Sequence, residues 1–190
     1  MSIVRLTLFA IFPSGREADP HRSCPLPTAL ITELVAGART SEPDVAASMV
    51  HALGCVCKSA GKNLSPASKT SIEELITECF YSPGLEPYNA AIAQVVAGLA
   101  LHQPEDVRMI LESRVIPSKP SVLSSNVVLA ILELAPGTFE ELGVTEGVVG
   151  KTLKSCAVID NPSVGRPARE ARELFRKMGD PKVVEMLENF

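Results

Sequence analysis

The side chains that could bind a metal ion or act as nucleophiles are few and widely separated. No two of the three histidines stand at the spacing of metal ligands: His21, His51 and His102. The five cysteines also follow no regular spacing: Cys24, Cys55, Cys57, Cys79 and Cys156. Cys55 and Cys57 lie two residues apart on a predicted helix, about 200° apart around its axis, and so do not easily share a metal. We therefore expect buried free thiols in a reducing compartment.

The remaining motifs do not assemble a catalytic site. The carboxylates of Glu73–Glu74 and of Glu140–Glu141 are adjacent in sequence, so each pair diverges around its helix and belongs to a solvated face. The stretch "GVVGK" at Gly147–Lys151 lacks the other glycines and the Ser/Thr of a phosphate loop, and it follows no strand. We therefore predict that the chain is not an enzyme and has no catalytic, cofactor-binding or metal-binding residues.

One surface feature could bind a partner. Four arginines, spaced three, three and four residues apart, align on one side of a predicted helix: Arg166, Arg169, Arg172 and Arg176. Glu170 and Glu173 are close enough to neutralise part of this arginine ridge, which favours a salt-bridged exposed face. The alternative is a docking strip for phosphate or for an acidic protein surface. In that case charge reversal of Arg169 and Arg172 would weaken partner binding.

Composition limits the class of protein. The chain has 190 residues, of which 46% are hydrophobic and 21% charged, as in folded soluble domains. Aromatic residues make up 4% and Trp is absent, so the core must consist of Leu, Val, Ile and Ala. The net charge of −4 argues against a basic nucleic-acid binder, and we expect no sequence-specific contact with nucleic acid.

The beginning of the chain raises the question of a targeting signal. An apolar run from Leu6 to Phe12 has one nearby positive charge and no small-residue cleavage pattern, so we do not expect a signal peptide. No later run reaches the roughly 20 apolar residues that span a bilayer. We predict a cytoplasmic protein without a membrane segment, and we expect residues 1–25 to be an atypical, disordered N-terminal segment.

Proline and polar caps mark the predicted helices. Prolines stand before or within the first turn of eight segments, where the missing N–H costs no helical bond: Pro27, Pro43, Pro66, Pro87, Pro104, Pro120, Pro162 and Pro181. We expect Ser41, Ser65, Asn161 and Asp180 to act as caps. Apolar residues recur with helical period. The predicted stripe of the second helix comprises Val45, Met49, Ala52, Leu53, Val56 and Ala60, and that of a later helix comprises Val127, Val128, Ile131, Leu132 and Leu134. The predicted class is all-α.

These helices form repeating pairs. We predict four hairpins and a terminal helix in residues 26–190, with these bounds: Pro27–Gly61, Pro66–Gln103, Pro104–Gly137, Thr138–Gly179 and Pro181–Phe190. The second helices start 44, 33 and 42 residues apart, near the period of HEAT and armadillo units. Because one hairpin cannot bury both apolar faces, neighbours must stack. We therefore expect a right-handed α-solenoid of HEAT/armadillo-type hairpins.

Three stretches of the sequence resemble a known protein family. These are "GKNLSPASKTSIEELITECF", "AAIAQVVAGLALHQPEDVRMILESRVI" and "LAPGTFEELG". They are similar to the carboxyl-terminal HEAT repeats of the large translational activator of the general amino-acid control pathway, over approximately residues 26–178. Members of that family activate the kinase that phosphorylates the alpha subunit of translation initiation factor two.

The resemblance implies a scaffold that acts in translational control under amino-acid starvation, with the kinase and the ribosome as partners. No position matches the segment through which the family contacts the kinase, so no functional residue is transferred. The alternative is a generic HEAT adaptor, of the transport-receptor or phosphatase-scaffold type, that binds another protein. Starvation-dependent association with polysomes would favour the first hypothesis.

Overall fold

The structure, a computed structural model, describes residues 28–81, 86–115, 121–135 and 161–178. All regular elements in these ranges are helical, which confirms the all-α class for them. The helices are α1 (Thr28–Thr40), α2 (Pro43–Ala60), α3 (Pro66–Tyr81), α4 (Glu86–Ala100), α5 (Pro104–Ile110), α6 (Val122–Leu134) and α7 (Pro162–Met178). A 3-10 turn (Gly61–Asn63) follows α2, and a π-helical segment (Leu111–Val115) continues α5. Predictions for residues 1–25, for the first helix of the fourth hairpin and for the terminal helix lie outside the described residues.

The helices form two rows. In one row α2 packs on α4, α4 on α6, and α6 on α7. In the other row α1 packs on α3, and α3 contacts the π-helical segment after α5. Contacts of α1 with α2, of α3 with α4 and of α4 with α5 join the rows. Successive second helices therefore contact one another in chain order, which is consistent with an α-solenoid.

The predicted helix starts agree closely with the structure. α2, α3, α5 and α7 begin at Pro43, Pro66, Pro104 and Pro162. α4 begins at Glu86, one residue before the predicted Pro87. α6 begins at Val122 rather than Pro120, because Ser121 caps it: the Ser124 amide donates to Ser121 Oγ at 3.1 Å.

Two of the four predicted caps are confirmed, and Asp180 lies outside the described residues. The Ser68 amide donates to Ser65 Oγ at 3.2 Å, and the Ser163 amide donates to Asn161 Oδ1 at 3.0 Å. The prediction for Ser41 is wrong. Since Pro43 is the first residue of α2, the cap position falls on Glu42, whose side chain makes no capping bond.

The core consists of aliphatic side chains, as the composition predicts, and α4 lies at its centre. From Ala91 to Ala100 every residue of α4 except Gln94 is buried. In α6 the predicted apolar stripe is confirmed, since Val127, Val128, Ile131 and Leu132 are buried and Leu134 is partly buried. A helix enclosed on nearly all sides needs small side chains, because its neighbours approach from several directions.

The predicted stripe of α2 is partly wrong. Val45 is 45% exposed, whereas the fully buried residues of α2 are Ala46, Val50, Leu53, Gly54 and Cys57. Met49, on the predicted stripe, contacts α1 near Gly37 instead of the centre of the core. The sequence pattern predicted that the face with the larger side chains is buried. In the structure α4 packs instead on the face of α2 that carries Gly54.

One glycine, Gly98, sets the distance between α2 and α4. A Cβ added to Gly98 would lie 2.8 Å from the Lys58 backbone nitrogen and 3.1 Å from the Gly54 carbonyl oxygen. Real side chains do not accept such distances, so α4 reaches α2 this closely only because residue 98 lacks a side chain. At Gly54 the nearest atom, the Val95 nitrogen, would be 3.4 Å away, which is an ordinary contact.

Polar contacts connect successive helices in each row. Arg39 of α1 donates two hydrogen bonds to Glu78 of α3, at 2.9 and 2.7 Å. Lys69 of α3 lies 3.4 Å from Asp106 of α5. His102, just after α4, donates from Nε2 to the Lys58 carbonyl of α2 at 2.9 Å. Each of these contacts joins one hairpin to the next and so supports the stacking.

Candidate functional site

The predicted arginine ridge lies on α7. Asn161 caps this helix at its start, and α6 covers its apolar side. The buried side of α7 contains mostly small residues, namely Val164, Gly165, Pro167, Ala168 and Ala171. The described residues on other sides of α7, among them Glu170 and Lys177, are exposed.

Two of the four arginine side chains can be located. Arg166 and Arg169 are exposed, as predicted. Arg172 and Arg176 belong to α7, but their side chains lie outside the described part of the structure. Arg166 Nε is 3.7 Å from Glu170 Oε1, and the two side chains are 74% and 55% exposed. This pair confirms that Glu170 neutralises part of the ridge, and at such exposure it contributes little to stability.

A groove lies between α2 and α4 and was not predicted from the sequence. It has a volume of about 430 Å³ and opens to solvent. Small and polar side chains line it: Ala47, Ser48, His51, Pro87, Ala90, Ala91 and Gln94. On each of the two helices these residues lie within one turn of one another and so share one face. The groove therefore arises where α2 and α4 pack side by side.

One cysteine prediction is wrong. Cys57 and Cys79 are buried free thiols, as expected, but Cys55 is exposed. Because Cys55 is two residues from the buried Cys57, it faces the opposite side of α2. His51 is also exposed, and its Nε2 lies 3.9 Å from Cys55 Sγ. Cys24 and Cys156 lie outside the described residues.

Burial keeps the inner thiols protonated. It raises the pKa of Cys57 to about 12 and, mainly by the same desolvation, that of Cys79 to about 11. Tyr88 of α4 is half-buried beside Cys79, and desolvation raises its pKa as well. Since a thiol reacts as its thiolate, Cys57 and Cys79 are chemically inert near neutral pH.

The acidic side chains of α3 diverge, as predicted. Glu74 is exposed and lies 3.9 Å from Arg39, while Glu73 is partly buried and its pKa is raised, chiefly by desolvation. In the part of the chain that the structure describes, no three His, Cys, Asp or Glu side chains cluster as metal ligands. None of the helices described there has both the length and the apolar character needed to cross a membrane.

The architecture places the described residues among helical proteins built from packed hairpins, consistent with the α-solenoid class. Comparison of the chain with protein-family models, with curated proteins and with solved structures gave no match. The geometry of the helices and of their surface is therefore the basis for any proposal about function.

Proposed function

We propose that this chain is a non-enzymatic scaffold, a right-handed α-solenoid of HEAT/armadillo-type hairpins that binds other proteins in the cytoplasm. Three stretches of its sequence resemble the carboxyl-terminal HEAT repeats of the ribosome-associated activator of the initiation factor 2 alpha kinase. The proposed role is therefore in translational control under amino-acid starvation, with the kinase and the ribosome as partners.

The observation that supports a scaffold most directly is the order of contacts in the second row. α2, α4, α6 and α7 pack in chain order, and each contributes exposed residues between its buried ones. On α2 these residues include Ser48 and His51, on α4 Gln94, on α6 Glu133, and on α7 Arg166. A row of this kind offers one extended surface, which is how stacked repeats bind their partners.

Within this surface, α7 carries the docking strip of the proposal. Arg166 and Arg169 are exposed, and the ion pair of Arg166 with Glu170 is long and solvated. Arg166 can release the Glu170 carboxylate and bind a phosphate or a carboxylate of a partner instead. The free-energy cost is small, because an exposed ion pair contributes at most about 1 kcal/mol to stability. A guanidinium group also binds either anion with two parallel hydrogen bonds.

Co-sedimentation with ribosomes tests the proposal. The tagged chain is expressed in fed and in amino-acid-starved cells, and its share in the polysome fractions is measured. We expect starvation to raise this share. The double variant Arg166→Glu and Arg169→Glu should lower the affinity about tenfold, equivalent to about 1.4 kcal/mol.

A matched control separates the ridge from a general charge effect. Arg108 on α5 also has an i, i+4 carboxylate partner, Glu112 at 3.0 Å, and Lys62 is exposed. The variant Arg108→Glu with Lys62→Glu therefore makes the same change of charge elsewhere and should sediment like the unchanged chain. If both double variants sedimented equally with ribosomes, the arginine ridge would be excluded as the binding site. Capture of a transport or phosphatase partner instead of ribosomes would favour the generic adaptor.

A further inference from the structure

α2 has an apolar side that faces away from α4. Three of its residues are seven and four positions apart in turn and so return to one side of the helix: Val45, Ala52 and Val56. Gly54, where α4 packs, lies about 160–180° away from them around the helix axis. Val45 is 45% exposed, and the other two are partly buried against the core. Among the described helices α2 packs on α1 and α4, so this side lies opposite the next hairpin.

α1 extends the same apolar side. Met49 lies between the two helices, since a Cβ added to Gly37 would be 3.2 Å from the Met49 Cγ. Leu30 is seven residues before Gly37 and therefore on the same side of α1, where it is partly buried. We call the five apolar residues of the two helices the end face: Leu30, Val45, Met49, Ala52 and Val56.

The end face is a terminal side of the described stack. The second hairpin packs on the other side of the first one, through α3 on α1 and α4 on α2. In an array of hairpins each apolar side is covered by a neighbour, and a terminal side needs a cap. Apolar side chains that share one exposed face mark a binding surface.

We propose that the apolar run Leu6–Phe12 of the same chain covers the end face. Six of its seven residues are apolar, and residues 13–27 connect it to α1. The sequence alone predicts disorder for residues 1–25. The end face supplies an apolar surface on which this run buries its side chains, which a local pattern cannot reveal.

The connecting chain is long enough to reach the end face. Residues 13–27 are 15 in number and include four prolines, so at about 3.1 Å per residue they span up to about 46 Å. α2 has 18 residues and is therefore about 27 Å long. Starting from Thr28, the first residue of α1, the run can reach any part of the end face.

Charge also favours this run. Arg5 is the positive side chain directly before it. Exposed carboxylates stand beside the end face: Glu33 is three residues after Leu30, and Glu42 is three residues before Val45. An arginine at the end of the run is therefore attracted to the border of the surface that the run covers.

A second copy of the chain fits the end face less well. A stable interface between two proteins involves roughly 20–30 residues on each side, many more than the five of the end face. A tethered segment also has an effective concentration in the millimolar range, so it binds before a separate molecule at micromolar concentration.

Tryptophan fluorescence of the full chain tests this inference. The sequence has no Trp, so Phe9→Trp places a single indole in the run. We expect its emission at a shorter wavelength than that of an indole in water, with weaker quenching by acrylamide, because the end face buries it. Phe12→Trp provides a second reporter in the same run, and circular dichroism confirms that each variant is helical. Adding Val45→Glu should shift the emission to longer wavelength and strengthen the quenching.

Met109→Glu is the matched control. Met109 of α5 is also an apolar residue exposed to solvent, at 68%, so the variant introduces the same charge away from the end face and should leave the emission unchanged. Equal quenching with Val45→Glu and with Met109→Glu would overturn the inference, as would a solvent-exposed indole in both reporters.

Sedimentation velocity identifies what covers the end face. A monomer with a protected indole supports the run of the same chain. Protection that disappears on dilution together with a dimer would assign the end face to a second copy and overturn the inference. Neither measurement involves ribosomes or the arginines of α7, so the scaffold proposal is tested separately.

Discussion

At the residue scale, burial determines what the cysteines can do. Cys55 and Cys57 are two residues apart, yet one is exposed and the other is completely buried. The helix turns by roughly 200° between them, so one face of α2 holds an accessible thiol and the other an inert one. Of the three cysteines that the structure describes, Cys55 alone has a thiol that is accessible for binding or modification.

The first prediction concerns stability at alkaline pH. In the folded chain the pKa of Cys57 is about 12, whereas an unfolded thiol titrates near 9. Below pH 9 both states hold the proton and the stabilisation is complete. Between these values the folded state binds more protons, so the free energy of unfolding should fall as pH rises, by about 1.4 kcal/mol per pH unit for this thiol.

Denaturant unfolding from pH 8 to pH 11 measures this slope. Cys79 and Tyr88 have raised pKa values too, so Cys79 should add to the slope above pH 9 and Tyr88 above pH 10, near the ordinary pKa of each group. Cys57→Ala should reduce the slope by the amount of one proton, while Cys55→Ala, at an exposed position, should leave it unchanged. If Cys57→Ala and the unchanged chain had the same slope, the Cys57 thiol would not be a source of the pH dependence of stability.

At the element scale, the contact between α2 and α4 depends on one glycine. A Cβ at residue 98 would lie 2.8 Å from the Lys58 nitrogen, but a Cβ at residue 54 would have ordinary contacts. We therefore expect Gly98→Ala to lower the free energy of unfolding by about 1–3 kcal/mol through overpacking. Gly54→Ala should be neutral, or more stable by up to about 1 kcal/mol, because alanine favours the helix.

Chemical denaturation of the two variants side by side provides the measurement. They place the same extra methyl group in the same helix contact, so any general effect of alanine cancels. If Gly98→Ala proved as stable as Gly54→Ala, the two helices would have to lie farther apart than the structure places them.

A second prediction at this scale concerns the end of α2. Nε2 of His102 donates to the Lys58 carbonyl, and the side-chain amide of Gln103 donates to the Gly61 carbonyl. These bonds connect the end of α4 with the last turn of α2, where carbonyls lack partners inside the helix. We expect His102→Ala to cost about 1 kcal/mol, the usual net value of one hydrogen bond.

Thermal unfolding of His102→Ala checks this expectation, with Lys58→Ala as the control. That control removes an exposed side chain but keeps the accepting carbonyl, so its loss of stability should be smaller. A larger loss for Lys58→Ala would indicate that the lysine side chain, and not the bond from His102, stabilises this helix end.

At the scale of the whole molecule, stability should follow the position of a helix in the stack. α4 contacts helices of both rows, namely α2, α3, α5 and α6, and is buried along nearly all its length. Among the described helices α7 packs on α6, and Arg166, Arg169 and Lys177 of α7 are exposed. In an array of stacked hairpins, a helix with neighbours on all sides cannot open without the helices that cover it.

Native-state hydrogen exchange can test this order. The amides of α4 from Ile92 to Leu99 should exchange only through global unfolding, with the full denaturant dependence of that transition. Amides in α7 should exchange through local opening, at a lower free energy and with little denaturant dependence. Protection in α7 equal to that in α4 would mean that the array unfolds as one unit.

The sequence by itself determined the helices, most of their ends and the stacking of hairpins. Proline fixes the backbone at a helix start, Ser65 and Asn161 supply hydrogen bonds that only an adjacent helix can use, and the apolar period of α6 fixes its buried face. These are local effects, so they can be recognised without neighbours. The handedness of the solenoid and the partner stay predictions.

The tertiary structure alone decided which face of α2 is buried, where the groove lies and which thiol is exposed. Val45 belongs to a regular apolar stripe, yet the close approach of α4 at Gly98 selects the face that carries Gly54 and Cys57. Residues on different hairpins meet only after packing, and the side chains at that contact set the distance. The apolar pattern of α2 contains no information about the position of α4. It therefore could not identify the face of α2 that α4 covers.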